Sequence, residues 1–121
     1  MANILIVDDE PVILTTLETL LKSEGHVVSS ALNGPAANEL LESSSFDLMI
    51  SDVRMKPING IEMLDFSKKT YPDMPVIMLT AHKSEQTADR AIGMGAAAYM
   101  TKPFNVIELL KLVNETLEAN T

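Results

Sequence analysis

Three carboxylates, one hydroxyl and one ammonium lie at or just after the ends of apolar runs in this sequence. They belong to Asp8, Asp9, Asp52, Thr80 and Lys102. Clustered carboxylates disfavour each other's ionised form, so such a group must either hold a proton or bind a cation. Oxygen ligands without His or Cys select a hard cation, and a shallow site with room for water and phosphate suits Mg²⁺ better than Ca²⁺.

The same five residues are the parts that phosphoryl transfer requires. A carboxylate such as that of Asp52 can act as the nucleophile and form an acyl phosphate. Thr80 and Lys102 supply a donor and a positive charge for the phosphoryl oxygens. Each residue also has a simpler interpretation: Asp8 and Asp9 as helix caps, Asp52 as a turn residue, Thr80 as a strand former and Lys102 as a solvated loop residue. Their positions in the fold decide between the two interpretations.

The elements that must position these residues alternate along the chain. Apolar runs that predict strands of a parallel sheet span Ile4–Val7, Leu48–Ser51, Val76–Leu79 and Ala97–Met100. The segment His26–Ala31, with β-branched and small residues, predicts a further strand, the second in chain order, nearer an edge of the sheet. Helices are predicted from Pro11 to Gly25, Asn33 to Glu42, Gly60 to Thr70, Ser84 to Met94 and Val106 to Leu117. This alternation predicts an α/β fold, a doubly wound sheet with right-handed crossovers, as a single domain over residues 1–121.

The ends of the predicted strands bring the five chemical residues to one place. In doubly wound sheets, ligands bind outside the carboxyl ends of the strands. The first strand ends on Asp8 and Asp9, the third on Asp52 and the fourth on Thr80, and the fifth leads to Lys102. We therefore expect one site at the carboxyl edge of the sheet, because a coincidence of position at four strands is improbable.

Composition excludes several classes of function. The 121 residues include no cysteine, which removes disulfides, thiol catalysis and zinc–thiolate sites. The formal net charge of −8 makes direct nucleic-acid binding by this chain unfavourable. No apolar stretch approaches the roughly 20 residues that cross a bilayer, and the first residues do not have the pattern of a signal peptide. The expected location is the cytoplasm, without membrane contact.

Several motifs occur in a fixed order along the chain. They are Ile4–Glu10, Asp47–Asp52, Met55, Asn59–Gly60, Leu79–Ala81, Gly95–Ala96 and Tyr99–Phe104. With these motifs the chain resembles, over essentially its whole length, the receiver domain of two-component response regulators. The resemblance implies a flavodoxin-like (βα)5 fold whose parallel five-stranded sheet has the strand order 2-1-3-4-5.

The resemblance also implies a role for each residue of the metal site. Asp52 is the phosphoacceptor. Asp9 and Asp52 bind Mg²⁺ directly, together with the backbone carbonyl of Arg54, whereas Asp8 acts mostly through water. The protein is expected to catalyse its own phosphorylation and a slow dephosphorylation, without being a conventional enzyme.

Three further residues take roles in the switch by the same resemblance. Lys102 pairs with the phosphoryl oxygens, and the Lys102–Pro103 peptide is expected to be cis. Thr80 is drawn to the phosphoryl group, and Tyr99 swings inward into the space that this movement opens. Phosphorylation is therefore expected to act as a population shift between two states.

The partners implied by the resemblance are proteins. The donor is the phosphohistidine of a sensor histidine kinase or of a phosphotransfer protein. The output surface comprises the predicted helix Ser84–Met94, the fifth strand and the last helix. Through this surface the chain is expected to control an effector domain or partner, and it is a possible dimer interface.

Four features of the sequence lead to narrower expectations. The family commonly has Pro four residues after the phosphoacceptor, but here Lys56 is fourth and Pro57 fifth; Ala98 replaces a common acidic residue before Tyr99. In the family, the positions of Arg54 and His82 border the path of the attacking water, and because both side chains are bulky here they are predicted to restrict hydrolysis of the acyl phosphate. The polar segment Ser84–Arg90, followed by Gly93 and Gly95, is predicted to be the mobile element because it offers little apolar surface.

Other functions remain as alternatives at this point. A Mg²⁺-dependent phosphatase with an aspartate nucleophile uses similar residues, but places the nucleophile after the first strand in an Asp-x-Asp pattern. Here that strand ends in Asp8-Asp9-Glu10. A binding module that no longer accepts phosphate would not need the full set of chemical residues. A flavin or nucleotide carrier would need a glycine-rich phosphate loop or aromatic residues for stacking, and the sequence has no such loop and few aromatic residues.

Overall fold

The computed structural model describes residues 2–52, 60–80 and 90–119. One parallel sheet contains β1 (Asn3–Val7), β2 (Val27–Ala31), β3 (Leu48–Ser51), β4 (Val76–Thr80) and β5 (Ala98–Thr101), in the order β2-β1-β3-β4-β5. The helices are α1 (Pro11–Ser23), α2 (Gly34–Ser43), α3 (Gly60–Thr70), α4, of which residues 90–93 are described, and α5 (Val106–Ala119). The predicted fold class and strand order are confirmed.

The sheet separates two hydrophobic layers, as a doubly wound fold requires. Alternate residues of a strand point to opposite faces. In β1, Ile4 and Ile6 therefore pack with α1 and α5, whereas Leu5 and Val7 pack with α2 and α3. All four side chains are almost completely buried, which explains why the run is continuously apolar.

The strand register aligns the carboxyl ends that carry the polar residues. Val7 pairs with both Ala31 and Ser51, and Thr80 pairs with Thr101. The backbone N–H of Asp52 donates to the Val7 carbonyl at 2.9 Å. The first residue after β3 is thus fixed to the end of β1 by the sheet itself.

Two helices end at glycines in the left-handed conformation. After α1, Gly25 has φ +88°, its N–H donates to the Lys22 carbonyl, and the N–H of His26 donates to the Leu21 carbonyl. Gly95 ends α4 with the same pair of bonds and φ +103°. This arrangement satisfies carbonyls at the end of a helix and favours glycine because a Cβ is strained at positive φ. Gly25 therefore ends the first helical segment, as its sequence predicts.

Helix α2 begins at a side-chain cap that offers a stability test. The Asn33 Oδ1 atom accepts a hydrogen bond from the Ala36 N–H at 2.9 Å. We expect Asn33→Ala to lower the free energy of unfolding by about 1 kcal/mol, because a helix N–H loses its acceptor. Urea titration measures this change. The control Asn114→Ala, on the exposed side of α5, should not destabilise the protein because Ala favours helix; equal losses in both variants would contradict the capping role.

The observed elements differ from the predicted ones only near their ends. Strand β2 begins one residue later than predicted and lies at an edge of the sheet, as expected from its small residues. Strand β5 is shifted by one residue, to Ala98–Thr101. Residues 84–89 of the predicted fourth helix lie outside the described residues. Within the described ranges, no helix is long and apolar enough to cross a membrane.

Candidate functional site

The carboxyl edge of the sheet holds a buried ion-pair network centred on Lys102. The Nζ atom of Lys102 lies 2.6 Å from Asp8 Oδ2 and 3.6 Å from Asp52 Oδ2. Asp8 is 2% exposed, Asp52 is 6% exposed and the Lys102 side chain is 8% exposed. A buried charge is costly unless it is paired. The predicted convergence of these residues is therefore present in the structure.

Local hydrogen bonds hold the backbone of both buried aspartates and the carboxylate of Asp8. Asp8 follows β1, its own N–H donates to the Ala31 carbonyl, and its Oδ1 accepts the Glu10 N–H at 2.9 Å. Asp52 follows β3, and the Ser51 hydroxyl donates to its carbonyl at 3.1 Å. The side chain of Asp8 thus shapes the turn before α1 rather than capping the helix, whose N-cap residue is Glu10.

An acidic group at the same edge could hold a metal ion. Carboxylate oxygens of Asp8, Asp9 and Glu10 lie within 4.8 Å of one another, and Asp9 and Glu10 are exposed. Glu10 also lies close to the ammonium, with Oε1 3.7 Å from Lys102 Nζ. No role was expected of Glu10 from the sequence, although its place next to Asp8 and Asp9 is the signal that would have included it.

Both members of the shortest ion pair have raised pKa values. Burial raises the pKa of Asp8 above its usual range, although the hydrogen bonds from Lys102 and the Glu10 N–H oppose this effect. For Lys102, burial alone lowers the pKa. The hydrogen bond to Asp8 and the charges of Asp52, Asp8 and Glu10 outweigh burial, so the pKa of Lys102 is raised. The two shifts have different causes: burial favours the protonated form of Asp8, whereas the neighbouring carboxylates favour the charged form of Lys102.

The donor set fits a hard cation. The carboxylates of Asp8, Glu10 and Asp52 lie within 3.7 Å of the Lys102 ammonium, which offsets one negative charge. The carboxylate of Asp9 lies beside those of Asp8 and Glu10. All the candidate ligands are oxygens, and such ligands suit Mg²⁺, Ca²⁺ or Mn²⁺ rather than zinc. The acidic group therefore has the composition and charge of a divalent-cation site.

The remaining sequence-predicted residues lie around this site or outside the described residues. Thr80 is the last residue of β4, next to Thr101 of β5. Tyr99, in β5, is half-buried and packs against the core layer beneath α2 and α3. The Lys102–Pro103 peptide is cis, the isomer that the resemblance implies. The Arg54 and His82 positions and the Lys56-Pro57 loop lie outside the described residues.

The fold and the site together define a class of protein. It is a doubly wound α/β domain with an acidic site, paired with a lysine, at the carboxyl edge of its sheet. The family model described as response regulator receiver domain matches residues 4–114. The chain belongs to the response regulator receiver domain family. It is thus a phosphorylation-dependent switch module of two-component systems, and the alternative of an aspartate-dependent phosphatase is not favoured.

Curated relatives resemble the chain over part of their own length. It is 38% identical to the transcriptional regulatory protein GlrR of Escherichia coli K12, over 97% of this chain and 26% of that protein. It is 36% identical to the response regulator SaeR of Staphylococcus aureus USA300, over 97% of this chain and 51% of that protein. The chain therefore spans about a quarter to a half of these relatives.

Solved receiver domains have the same fold over their whole length. A CheY-like receiver domain protein from Methanospirillum hungatei JF-1 superposes with a TM-score of 0.95 at 32% identity, covering 99% of this chain and 96% of that one. The beryllofluoride-activated receiver domain dimer of NtrC4 superposes with a TM-score of 0.94 at 33% identity, covering 98% of each chain. The fold and strand order therefore agree with those of known receiver domains.

Proposed function

We propose that Asp52 is the phosphoacceptor of this receiver domain and that it accepts a phosphoryl group in a Mg²⁺-dependent reaction. The observation that carries the proposal is the buried ammonium of Lys102 within 3.6 Å of Asp52 Oδ2 and 2.6 Å of Asp8 Oδ2. A cation held at that distance can pair with phosphoryl oxygens bound to Asp52. The whole of residues 1–121 is proposed to act as one domain.

The reaction proposed for Asp52 is an in-line displacement. A carboxylate oxygen of Asp52 forms a bond to phosphorus while the bond between phosphorus and the donor breaks, and the donor leaves with that electron pair. Lys102 stabilises the charge that develops on the phosphoryl oxygens. When bound, Mg²⁺ would supply further positive charge; Asp9, Asp52 and the Arg54 carbonyl are proposed as its direct ligands, and Asp8 as a ligand through water.

The switch is proposed to run through β4 and β5. Thr80 would move to the phosphoryl group, and Tyr99 would follow inward. Thr80 and Thr101 are neighbours in the register, so a movement of Thr80 at the end of β4 would act directly on β5. The surface of α4, β5 and α5 is the proposed output face, and dimerisation through it is a further part of this proposal.

The proposed setting is a cytoplasmic two-component system. The proposed donor is a phosphohistidine of a sensor kinase or of a phosphotransfer protein. Several relatives are named as transcriptional regulators, so the proposed target is an effector domain or a partner protein. Direct binding of nucleic acid by this chain is not proposed, since its formal net charge is −8.

Uptake of one phosphoryl group is the test of this function. The protein is incubated with acetyl phosphate and Mg²⁺, quenched with acid and examined by intact mass. We expect a gain of one phosphoryl group, which is absent when EDTA replaces Mg²⁺. Release of the group by hydroxylamine identifies an acyl phosphate. If no Mg²⁺ concentration produced a gain in mass, the proposal would be wrong.

Two side chains remain as predicted regulators of the phosphoryl lifetime. We expect Arg54→Ala and His82→Ala to lose the phosphoryl group faster than the wild type, because smaller side chains open a path for water to the acyl phosphate. After removal of the donor, intact mass at successive times gives the rate of loss. Equal rates in the wild type and both variants would contradict the prediction.

A further inference from the structure

Glu10 has an unusual position at the start of α1. Its carbonyl accepts hydrogen bonds from the N–H groups of Ile13 and Leu14, so its backbone begins the helix. A Ser, Thr, Asp or Asn side chain at an N-cap ordinarily accepts a hydrogen bond from the first turn of the helix. The Glu10 side chain makes no such bond, and its Oε1 atom instead lies 3.7 Å from Lys102 Nζ.

The exposure of Glu10 separates it from the other carboxylates that contact Lys102. Its side chain is 58% exposed, whereas the side chains of Asp8 and Asp52 are 3% and 7% exposed. Burial and backbone contacts fix Asp8 and Asp52, and both are needed for the proposed chemistry. Glu10 is not buried in this way, and its exposed carboxylate lies on the solvent side of the ammonium. It can therefore influence the approach of a charged molecule from solution.

A phosphoryl donor and Glu10 require the same ammonium. Acquisition of a phosphoryl group adds about −1.5 to −2 charges to a phosphorylated side chain. This charge must be offset by Lys102, which in the resting protein is shared among Asp8, Asp52 and Glu10. Every carboxylate that pairs with the Lys102 ammonium weakens the attraction of that ammonium for the incoming anion. The exposed carboxylate of Glu10 also repels that anion directly.

We propose that Glu10 is a positioning residue that holds Lys102 in the resting site and slows phosphoryl capture from anionic donors in solution. The proposal rests on the proposed function, in which Asp52 forms the bond to phosphorus and the donor leaves with its electron pair. Glu10 makes and breaks no bond in that step. It acts on the rate through its charge and through the ammonium of Lys102, 3.7 Å away.

The test compares phosphoryl capture in two charge-neutralised variants. Glu10→Gln keeps the size of the side chain, and the control Glu39→Gln removes an equal charge from the exposed side of α2. The protein has no tryptophan, so quenched flow with intact mass follows the reaction with acetyl phosphate. Saturating Mg²⁺ removes any difference in metal affinity. We expect capture to be about threefold faster in Glu10→Gln at low ionic strength, as for one exposed charge interaction, and unchanged in Glu39→Gln.

Salt and stability distinguish an electrostatic role from a structural one. The advantage of Glu10→Gln should disappear near 1 M salt, where the Debye length is about 3 Å. Glu10→Asp, which retains the charge, should capture phosphoryl groups at a rate close to that of the wild type. The melting temperature of Glu10→Gln should equal that of the wild type, because the exposed side chain makes no helix cap.

Each remaining outcome has a definite meaning. If the wild type gains a phosphoryl group but Glu10→Gln is no faster, the role of Glu10 is overturned while the proposed function stands. An equal acceleration in Glu39→Gln would assign the effect to total charge and overturn the local role. An acceleration that persists at 1 M salt would also overturn it. No gain of mass in the wild type would instead overturn the proposed function and, with it, the basis of this inference.

Discussion

Asp52→Asn is expected to abolish phosphoryl capture from acetyl phosphate. An amide cannot replace a carboxylate as the nucleophile that forms an acyl phosphate, so the loss should be complete rather than partial. Asn retains the size of Asp, and Asp52 is 6% exposed at the end of β3, so the packing around it should persist. In the intact mass after incubation with donor and Mg²⁺, the wild-type gain should fall below detection in the variant.

Asp65→Asn is the matched control for loss of a carboxylate. Asp65 lies on α3, outside the acidic group, and pairs with Lys69 at 3.0 Å in a partly exposed ion pair. This variant should gain a phosphoryl group as the wild type does. A mass gain that persisted in Asp52→Asn would show that another carboxylate accepts the group. In that case Asp8 and Asp9 would be the next candidates, because they lie at the same edge of the sheet.

Sequence pattern predicted the fold because burial leaves a strong periodic record. In β1, both faces of the strand are covered by helices, and the residues on both faces are therefore apolar. Strand ends were less certain, since hydrogen bonding rather than burial decides them. Strand β5 illustrates this: its four residues are all only half-buried, and it begins at Ala98 rather than Ala97.

The candidate site was predictable to the extent that it depends on topology. Asp8, Asp52 and Lys102 each follow a strand, so the parallel sheet alone brings them together. Glu10 could not be assigned in the same way, because it follows the turn and its contact with Lys102 depends on side-chain direction. Sequence pattern specifies which residues end a strand, but it does not specify where a long side chain lies after a turn.

Lys102→Met is expected to destabilise the metal-free protein by about 3 kcal/mol, the lower end of the range for breaking a buried ion pair. The methionine fills a similar volume, but Asp8 and Asp52 lose the ammonium that pairs with both. Urea titration measures the loss. The control Lys111→Met removes an exposed lysine that pairs with Glu115 at 3.9 Å, and it should change the stability by less than about 1 kcal/mol.

The stability lost in Lys102→Met should increase with pH. Burial already raises the pKa of Asp8 above 3.8 in the folded protein, and loss of the lysine raises that pKa further. Above the unfolded value of 3.8, the folded protein therefore holds more protons than the unfolded chain, so its stability falls as pH rises toward the raised pKa. The deficit of the variant should be larger at pH 7 than at pH 5.

A second substitution separates the unpaired charge from lost packing. In Lys102→Met combined with Asp8→Asn, the most buried carboxylate is neutral, so much of the lost stability should return and its pH dependence should weaken. Mg²⁺ should likewise stabilise Lys102→Met more than the wild type, because a bound cation would supply the charge that the lysine no longer provides. A deficit that neither the second substitution, low pH nor Mg²⁺ reduced would mean that Lys102 acts through packing alone. The ion-pair network would then not be the feature that stabilises this edge of the sheet.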